Sequence, residues 1–209
     1  GEPGTTVFLT VTRTGQEAAI LFELVRQLIT TASVESKMVA EAMGYVQITY
    51  FDEDTDVELD KALTELLGAG AKGFVIDLRG NPGGMLGTCV RVIQRFVPEK
   101  YPILRVRWAW GSEIVKSREE GFQALEGLTY APDGRFPYPV AVLVDGYSAS
   151  ASEILAVSLQ EWGIARVFGE KTYGKGCIQS LFPVSTGGGV KLTTATWTSG
   201  LGRPLDGWA

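Results

Sequence analysis

Apolar positions recur along this chain in two rhythms, and each change of rhythm marks an element. Thr5 to Thr12 alternates β-formers at Val7, Leu9 and Val11, which predicts a strand, and Arg13-Thr14-Gly15-Gln16 predicts a turn. Ala19 to Ile29 is ambiguous. Its positions Ile20, Leu21, Leu24, Val25, Leu28 and Ile29 fit helical spacing, whereas the turn before them favours a second strand. Gly44 to Phe51 predicts a strand with polar residues at every second position. Thr55 with Glu58 predicts a capping box, and Leu59, Ala62, Leu63, Leu66 and Leu67 form the helical stripe that follows, stopped by Gly68 and Gly70. Gly73 to Leu78 is a short, mostly apolar run, as expected of a buried parallel strand. After the tight turn Arg79 to Gly84, a second stripe of Leu86, Cys89, Val90, Ile93 and Val97 ends at Pro98, and Ile103 to Arg107 predicts a strand.

Residues 108 to 138 are mixed and poorly periodic, and Gly134 to Pro139 reads as loop. Val140 to Val144 is a second continuous apolar strand. A helix after Ser150 turns Ile154, Leu155, Ser158, Leu159 and Trp162 inward. Arg166 to Phe168 is a short strand. Cys177 to Phe182 and Val190 to Thr198 predict two strands joined across Gly187-Gly188-Gly189, and Gly200 to Ala209 reads as a tail. This order implies an α/β core with a largely parallel sheet.

Composition narrows the function classes. The 209 residues suffice for one domain, or one domain and a fragment, with ample core, and 45% hydrophobic with 21% charged residues is ordinary for a soluble globular protein. A net charge of −5 without a basic patch argues against nucleic acid as a partner. No apolar run approaches the ~20 residues that span a bilayer, so no transmembrane segment is expected. The first residues show no basic and apolar leader, so no signal peptide is expected in them, which leaves the compartment open. Two cysteines, Cys89 and Cys177, do not make a disulfide framework. The absence of histidine excludes a Ser-His-Asp triad, a Cys-His pair and a His-ligated zinc within this chain. Any nucleophile here needs another base, and lysine, neutral near pH 7 when desolvated, is the leading candidate. No metal or cofactor is expected.

In open α/β sheets, sites form beyond the carboxyl ends of the strands. Two turns lie at such ends, Arg79 to Gly84 and Asp145 to Ser150, and both open helices. If their strands are neighbours, the turns meet over one crevice, with a serine oxygen on one side and glycine N–H groups on the other. That is the equipment of acyl transfer. Lys175, between Gly174 and Gly176, is placed to accept the serine proton. Gln179 is placed to hold the lysine amine, and on a strand the two side chains share a face. Each residue also has a plainer reading. Ser148, Ser150 and Ser152 suit any helix start, Ser150 with Glu153 fits a capping box, and Lys175 alone is a solvated loop lysine. Cys177 reads as a small buried hydrophobe.

Together these motifs resemble the carboxyl-terminal processing peptidases, or tail-specific proteases. The resemblance runs from about Val34-Glu35-Ser36-Lys37-Met38 to Gly207. It includes Gly44-Tyr45, Asp77-Leu78-Arg79-Gly80-Asn81-Pro82-Gly83-Gly84, Ser148-Ala149-Ser150-Ala151-Ser152-Glu153-Ile154, Gly169-Glu170-Lys171-Thr172-Tyr173-Gly174-Lys175-Gly176, Ile178-Gln179 and Lys191-Leu192-Thr193-Thr194-Ala195, in order and spacing. It implies a Ser-Lys serine endopeptidase with a crotonase-like core that cleaves polypeptides through an acyl-enzyme, typically near their C-termini. It matches Ser150 to the nucleophile, selecting it from the three serines. It matches Lys175 to the general base and Gln179 to the residue that orients it. The backbone N–H groups of Gly84 and Ala151 match the oxyanion hole, and Ser148 and Ser152 match structural serines. Cys177 stands where the family commonly has Ser or Thr.

The N-terminus departs from the family pattern. Gly1 to Arg26 resembles only the last strands of a PDZ domain, which favours a strand for Ile20 to Val25. The expected organisation is therefore residual PDZ-like strands and linker over 1–32 and a protease core over 33–209. A homo-oligomer or a separate recognition partner would fit the missing groove. Family analogy points to an extracytoplasmic location, in the bacterial periplasm or envelope or the thylakoid lumen. The competing expectation is a resting or inactive scaffold on the same fold.

Overall fold

The alternation and stripes translate into fourteen strands and helices among residues 1–27, 31–117, 125 and 128–204, which the computed structural model of the protein describes. Leu28, Ile29, Gly207 and part of the 108–138 stretch lie outside the described residues. Two compact units are formed, Gly1–Thr31 and Ala32–Ala209.

The first unit is a hairpin. Strands β1 (Thr6–Val11) and β2 (Ile20–Val25) pair antiparallel, with Thr6 opposite Val25 and Val11 opposite Ile20. The helical spacing of Ile20 to Val25 is thus overridden by strand pairing, in line with the turn before it.

The second unit contains two sheets. One has the strand order β3-β4-β5-β8-β9, built from β3 (Val34–Ala40), β4 (Met43–Ile48), β5 (Gly73–Asp77), β8 (Val140–Val144) and β9 (Ala165–Gly169). Strands β4, β5, β8 and β9 run parallel, and β3 is the antiparallel edge. The α/β class with a largely parallel sheet is therefore observed. The other sheet, order β10-β11-β6-β7, is antiparallel and comprises β6 (Pro102–Trp108), β7 (Gly111–Lys116), β10 (Cys177–Pro183) and β11 (Gly189–Ser199). Strand 103–107, expected within the parallel series, belongs to this second sheet. Strands β3 and β7 have no clear apolar signature, because most of their residues are exposed.

Three helices cover the parallel sheet. Helix α1 (Thr55–Gly68) buries Leu59, Ala62, Leu63 and Leu66, and α2 (Leu86–Ile93) buries Cys89, Val92 and Ile93. Burying one such Leu or Ile stabilises by roughly 1.5–3 kcal/mol. The expected Thr55–Glu58 capping box is not formed. Asp54 is the N-cap, and the Glu58 carboxylate instead accepts from the Ser33 and Val34 N–H groups at 2.8 and 3.0 Å. Tertiary pairing with the start of β3 takes the carboxylate that a local cap would have used.

Helix α3 (Ala151–Glu161) departs from a one-sided stripe, since every residue from Ala151 to Leu159 is buried. It lies against both sheets. Ser158 Oγ donates to the Ile103 carbonyl at 3.3 Å, Trp162 Nε1 donates to the Pro102 carbonyl at 2.9 Å, and Ile154, Leu155 and Leu159 join the core of the parallel sheet. No helix among the described residues is long and apolar enough to cross a membrane.

Candidate active site

Strands β5 and β8 are direct parallel neighbours, so the turns at their carboxyl ends meet. Their junction is stitched by hydrogen bonds from both sides. Ala149 N–H and Ser152 Oγ both donate to the Asn81 carbonyl at 3.0 Å, and Ser148 Oγ donates to the Leu78 carbonyl at 2.8 Å. The Asp145 carboxylate accepts from the Gly80, Tyr147 and Ser148 N–H groups at 2.9–3.1 Å. Burial pulls the Asp145 carboxyl upward, but these N–H groups and the Ser148 hydroxyl outweigh it and hold it below the ordinary carboxylate value. At the base of the other turn, Asp77 is nearly fully buried and receives Arg79 at 2.6 Å and the Tyr45 hydroxyl at 2.7 Å. Burial again pulls upward, and Arg79 with Tyr45 brings the Asp77 carboxyl down.

Close approach explains the glycines. A Cβ on Gly83 would meet the Ala149 carbonyl oxygen at 2.7 Å and Ser150 Cβ at 2.8 Å. A Cβ on Gly84, which sits at φ 146°, would meet the Phe51 carbonyl oxygen at 2.1 Å. Phe51 N–H donates to the Gly83 carbonyl and Met85 N–H donates to the Phe51 carbonyl, which bracket Gly84. Among the described residues, the Gly84 and Ala151 N–H groups have no hydrogen-bond acceptor, and both residues line the same cleft as Ser150.

The three serines have separate fates. Ser148 and Ser152 are fully buried and spend their hydroxyls on carbonyls of the neighbouring turn. Ser150 is half-buried, opens on the cleft, and holds φ 57° and ψ −113°. Few non-glycine residues occupy that region, and such strain persists only where the surroundings over-determine it. The capping-box partners are in place. The Glu153 carboxylate accepts from Ser150 N–H at 2.7 Å and the Ser150 side chain meets the Glu153 backbone N–H, so the expected capping box is observed.

Lys175 reaches the site from the loop ahead of β10. The Glu153 carboxylate also accepts from Thr172 Oγ1 and Gly174 N–H at 2.7 Å and from Lys175 N–H at 2.9 Å. Trp197 Nε1 donates to the Lys175 carbonyl at 3.1 Å. Ser150, Ala151, Gly84, Lys175 and Gln179 all line one cleft of about 460 Å³. Lys175, Cys177, Gln179 and Pro82 also line an adjoining cavity of about 590 Å³. No hydrogen bond joins Ser150 Oγ to Lys175 Nζ, or Gln179 to Lys175, among the described residues. Lys175 and Gln179 do not share a strand face as expected. The strand begins at Cys177, and a register shift falls between Ile178 and Gln179. Cys177 is half-buried and lines the cleft rather than the core.

Sequence reasoning took Glu153 for no more than a cap, and gave no individual role to Asp145, Asn81, Trp197 or Lys191. The signal for Glu153 was its place three residues after Ser150. Nothing local marked that its carboxylate would also bind a loop twenty residues on. Among the described residues, no three His, Cys, Asp or Glu are grouped so as to hold a metal ion. Another cavity, of about 660 Å³, lies at the opposite, amino ends of β5, β8 and β9 and holds none of these residues.

Comparison with known proteins supplies the relationship. Residues 42–208 match the profile of "Peptidase family S41". The chain is 35% identical over 204 residues to the carboxy-terminal processing protease CtpA of Bacillus subtilis, covering 97% of this chain and 41% of that protein. It is 35% identical over 201 residues to a carboxyl-terminal-processing protease of Synechocystis, covering 94% and 44%. It thus spans less than half the length of these relatives. Among solved structures, the photosystem II D1 C-terminal processing protease superimposes with a TM-score of 0.69 at 27% identity, over 99% of this chain and 54% of that one.

Proposed function

Since the chain belongs to peptidase family S41, we propose that it carries out serine endopeptidase chemistry of the C-terminal processing type, with Ser150 as nucleophile and Lys175 as base. The observation that carries this reading is the cleft itself. A strained Ser150 lines it, and so do two N–H groups that have no acceptor among the described residues, on Gly84 and Ala151, from the two turns. Donors held in place before reaction cost no reorganisation when an oxyanion forms.

In this mechanism Ser150 Oγ attacks the scissile carbonyl carbon and passes its proton to the unprotonated Lys175 amine. The Gly84 and Ala151 N–H groups take the oxyanion. Collapse of the tetrahedral species breaks the peptide C–N bond, and Lys175 returns the proton to the leaving amine. Water then attacks the acyl-enzyme, with Lys175 again accepting a proton, and Ser150 is regenerated. Gln179 orients the Lys175 amine once substrate closes the cleft. Substrates are polypeptides engaged near their C-termini. The family reading extends to an extracytoplasmic location, which cell fractionation tests.

A second reading is favoured by one observation, the absence of a Ser150–Lys175 hydrogen bond. It makes this form resting, or a scaffold. Digestion of casein or a tailed peptide decides between them. The enzyme reading expects turnover that Ser150→Ala and Lys175→Ala each reduce at least about 10³-fold without unfolding the chain. Turnover surviving Ser150→Ala sinks the assignment, and no turnover by the parent chain supports the second reading.

A further inference from the structure

The cleft at Ser150 has an uneven charge lining. Among its lining residues the only ionisable carboxylate or amine groups are the amines of Lys175 and Lys191; no Asp or Glu takes part. The unpartnered Gly84 and Ala151 N–H groups and the amino end of α3 add partial positive charge on the same side. Lys175 serves as the proton acceptor in the mechanism above, which leaves Lys191 as the amine of the cleft without a task. Lys191 projects from β11 opposite Leu181, on the hairpin whose other strand begins at Cys177. It is exposed, and no ion pair involves it among the described residues. In a chain of net charge −5, an exposed lysine that lines the same cleft as Ser150 and has no ion pair among the described residues is placed for an anionic group that arrives with substrate.

We propose that Lys191 binds a carboxylate of the polypeptide being cut, within about three residues of the cleaved bond. The inference rests on the reading of Ser150 as nucleophile. The reach follows from size. A sphere of about 460 Å³ is roughly 10 Å across, a span that about three residues of extended chain cover. The carboxylate has two sources, the chain terminus and an Asp or Glu side chain, and both offer the same two oxygens to the ammonium.

The test separates binding from turnover. Peptides of one sequence are prepared with a free terminus, with a terminal amide, and as the amide with Glu or Gln near the end. Binding is followed by fluorescence anisotropy on the 209-residue chain carrying Ser150→Ala, with and without Lys191→Gln. The free acid is expected to bind about five- to tenfold more tightly than the amide, and added salt narrows the gap. Lys191→Gln abolishes the preference, Lys191→Arg keeps it, and Lys61→Gln, which removes the same charge from α1, leaves it in place. A preference of the Glu peptide over the Gln peptide, lost in Lys191→Gln, assigns the site to the side chain instead of the terminus. Equal binding of all four peptides, or a preference that survives Lys191→Gln, overturns the proposal. Cleavage by the chain with Ser150 intact is measured separately. An acid preference in binding without any cleavage removes the peptidase reading and leaves the carboxylate site standing.

Discussion

The two halves of the candidate site are built differently. The nucleophile half is interior. Helix α3 is buried from Ala151 to Leu159, Ser148 and Ser152 are fully buried, and the two turns exchange hydrogen bonds across β5 and β8. The base half is superficial. Lys175 sits in a loop leading into a hairpin whose outer part exposes Leu181 at 71%, Phe182 at 45% and Leu192 at 51%. One fully buried side chain spans both. Glu153 accepts from Ser150 on its own helix and from Thr172, Gly174 and Lys175 on the loop. Ser150 and the Gly84 and Ala151 N–H groups are therefore set by the core. Lys175 is held through its backbone N–H and carbonyl, and no side-chain hydrogen bond fixes its amine among the described residues. That division accounts for a Ser150 already in a strained conformation beside a Lys175 with no hydrogen bond to it.

The comparison breaks most completely at the link. Glu153→Ala leaves the N–H groups of Ser150, Gly174 and Lys175 and the Thr172 hydroxyl without their acceptor. The expected cost is about 3–5 kcal/mol by denaturant melt, with hydrolysis falling by about 10² or more. Glu153→Gln keeps an acceptor oxygen and is expected to recover part of the stability but less of the activity. If both variants match the parent in turnover, the two halves are not coupled through this residue.

A smaller effect is expected inside the nucleophile half. Asp77 and Asp145 have carboxyls held below the ordinary value. Their contribution is therefore complete above the unfolded carboxyl value of about 4 and is lost as pH falls through the lower folded values. Asp145→Asn is expected to cost about 1 kcal/mol at neutral pH, discounted because Asp145 is partly exposed. It should also flatten the drop in Tm that the parent shows on acidification below about pH 5. An unchanged acid slope would count against Asp145 as the brace between the turns. The smallest effect belongs to the outer hairpin. Leu181→Ser is expected to change stability by no more than about 0.5 kcal/mol, because the side chain is mostly in water already.

Much of the parallel sheet was legible in the chain. Gly73 to Leu78, apolar but for Asp77, and Val140 to Val144 are apolar runs without alternation, which strands buried on both faces carry. Helices α1 and α2 were legible from their stripes. Strands β3 and β7 were not, because exposed edge strands have no apolar face to show. The burial of α3 on several sides was not legible either, since a stripe records one neighbour and this helix has two sheets. At the site, the glycines and serines stood in plain view as turn residues, but Lys191 and Trp197 looked like ordinary strand positions. Their place in the cleft depends on which sheet the 189–199 strand joins.

By itself, the sequence determined which chemistry was open to this chain. The lack of histidine left lysine as the leading candidate for a base, and the glycine-rich strand ends marked where a backbone could come close. Those are properties of residue type and local conformation, so they need no partner to be read. Only tertiary structure decided that β5 and β8 adjoin, that Gly83 packs on Ser150, and that one buried carboxylate ties the helix start to the lysine loop. Contacts between segments distant in the chain are set by which faces must leave water together, and no local pattern records that choice.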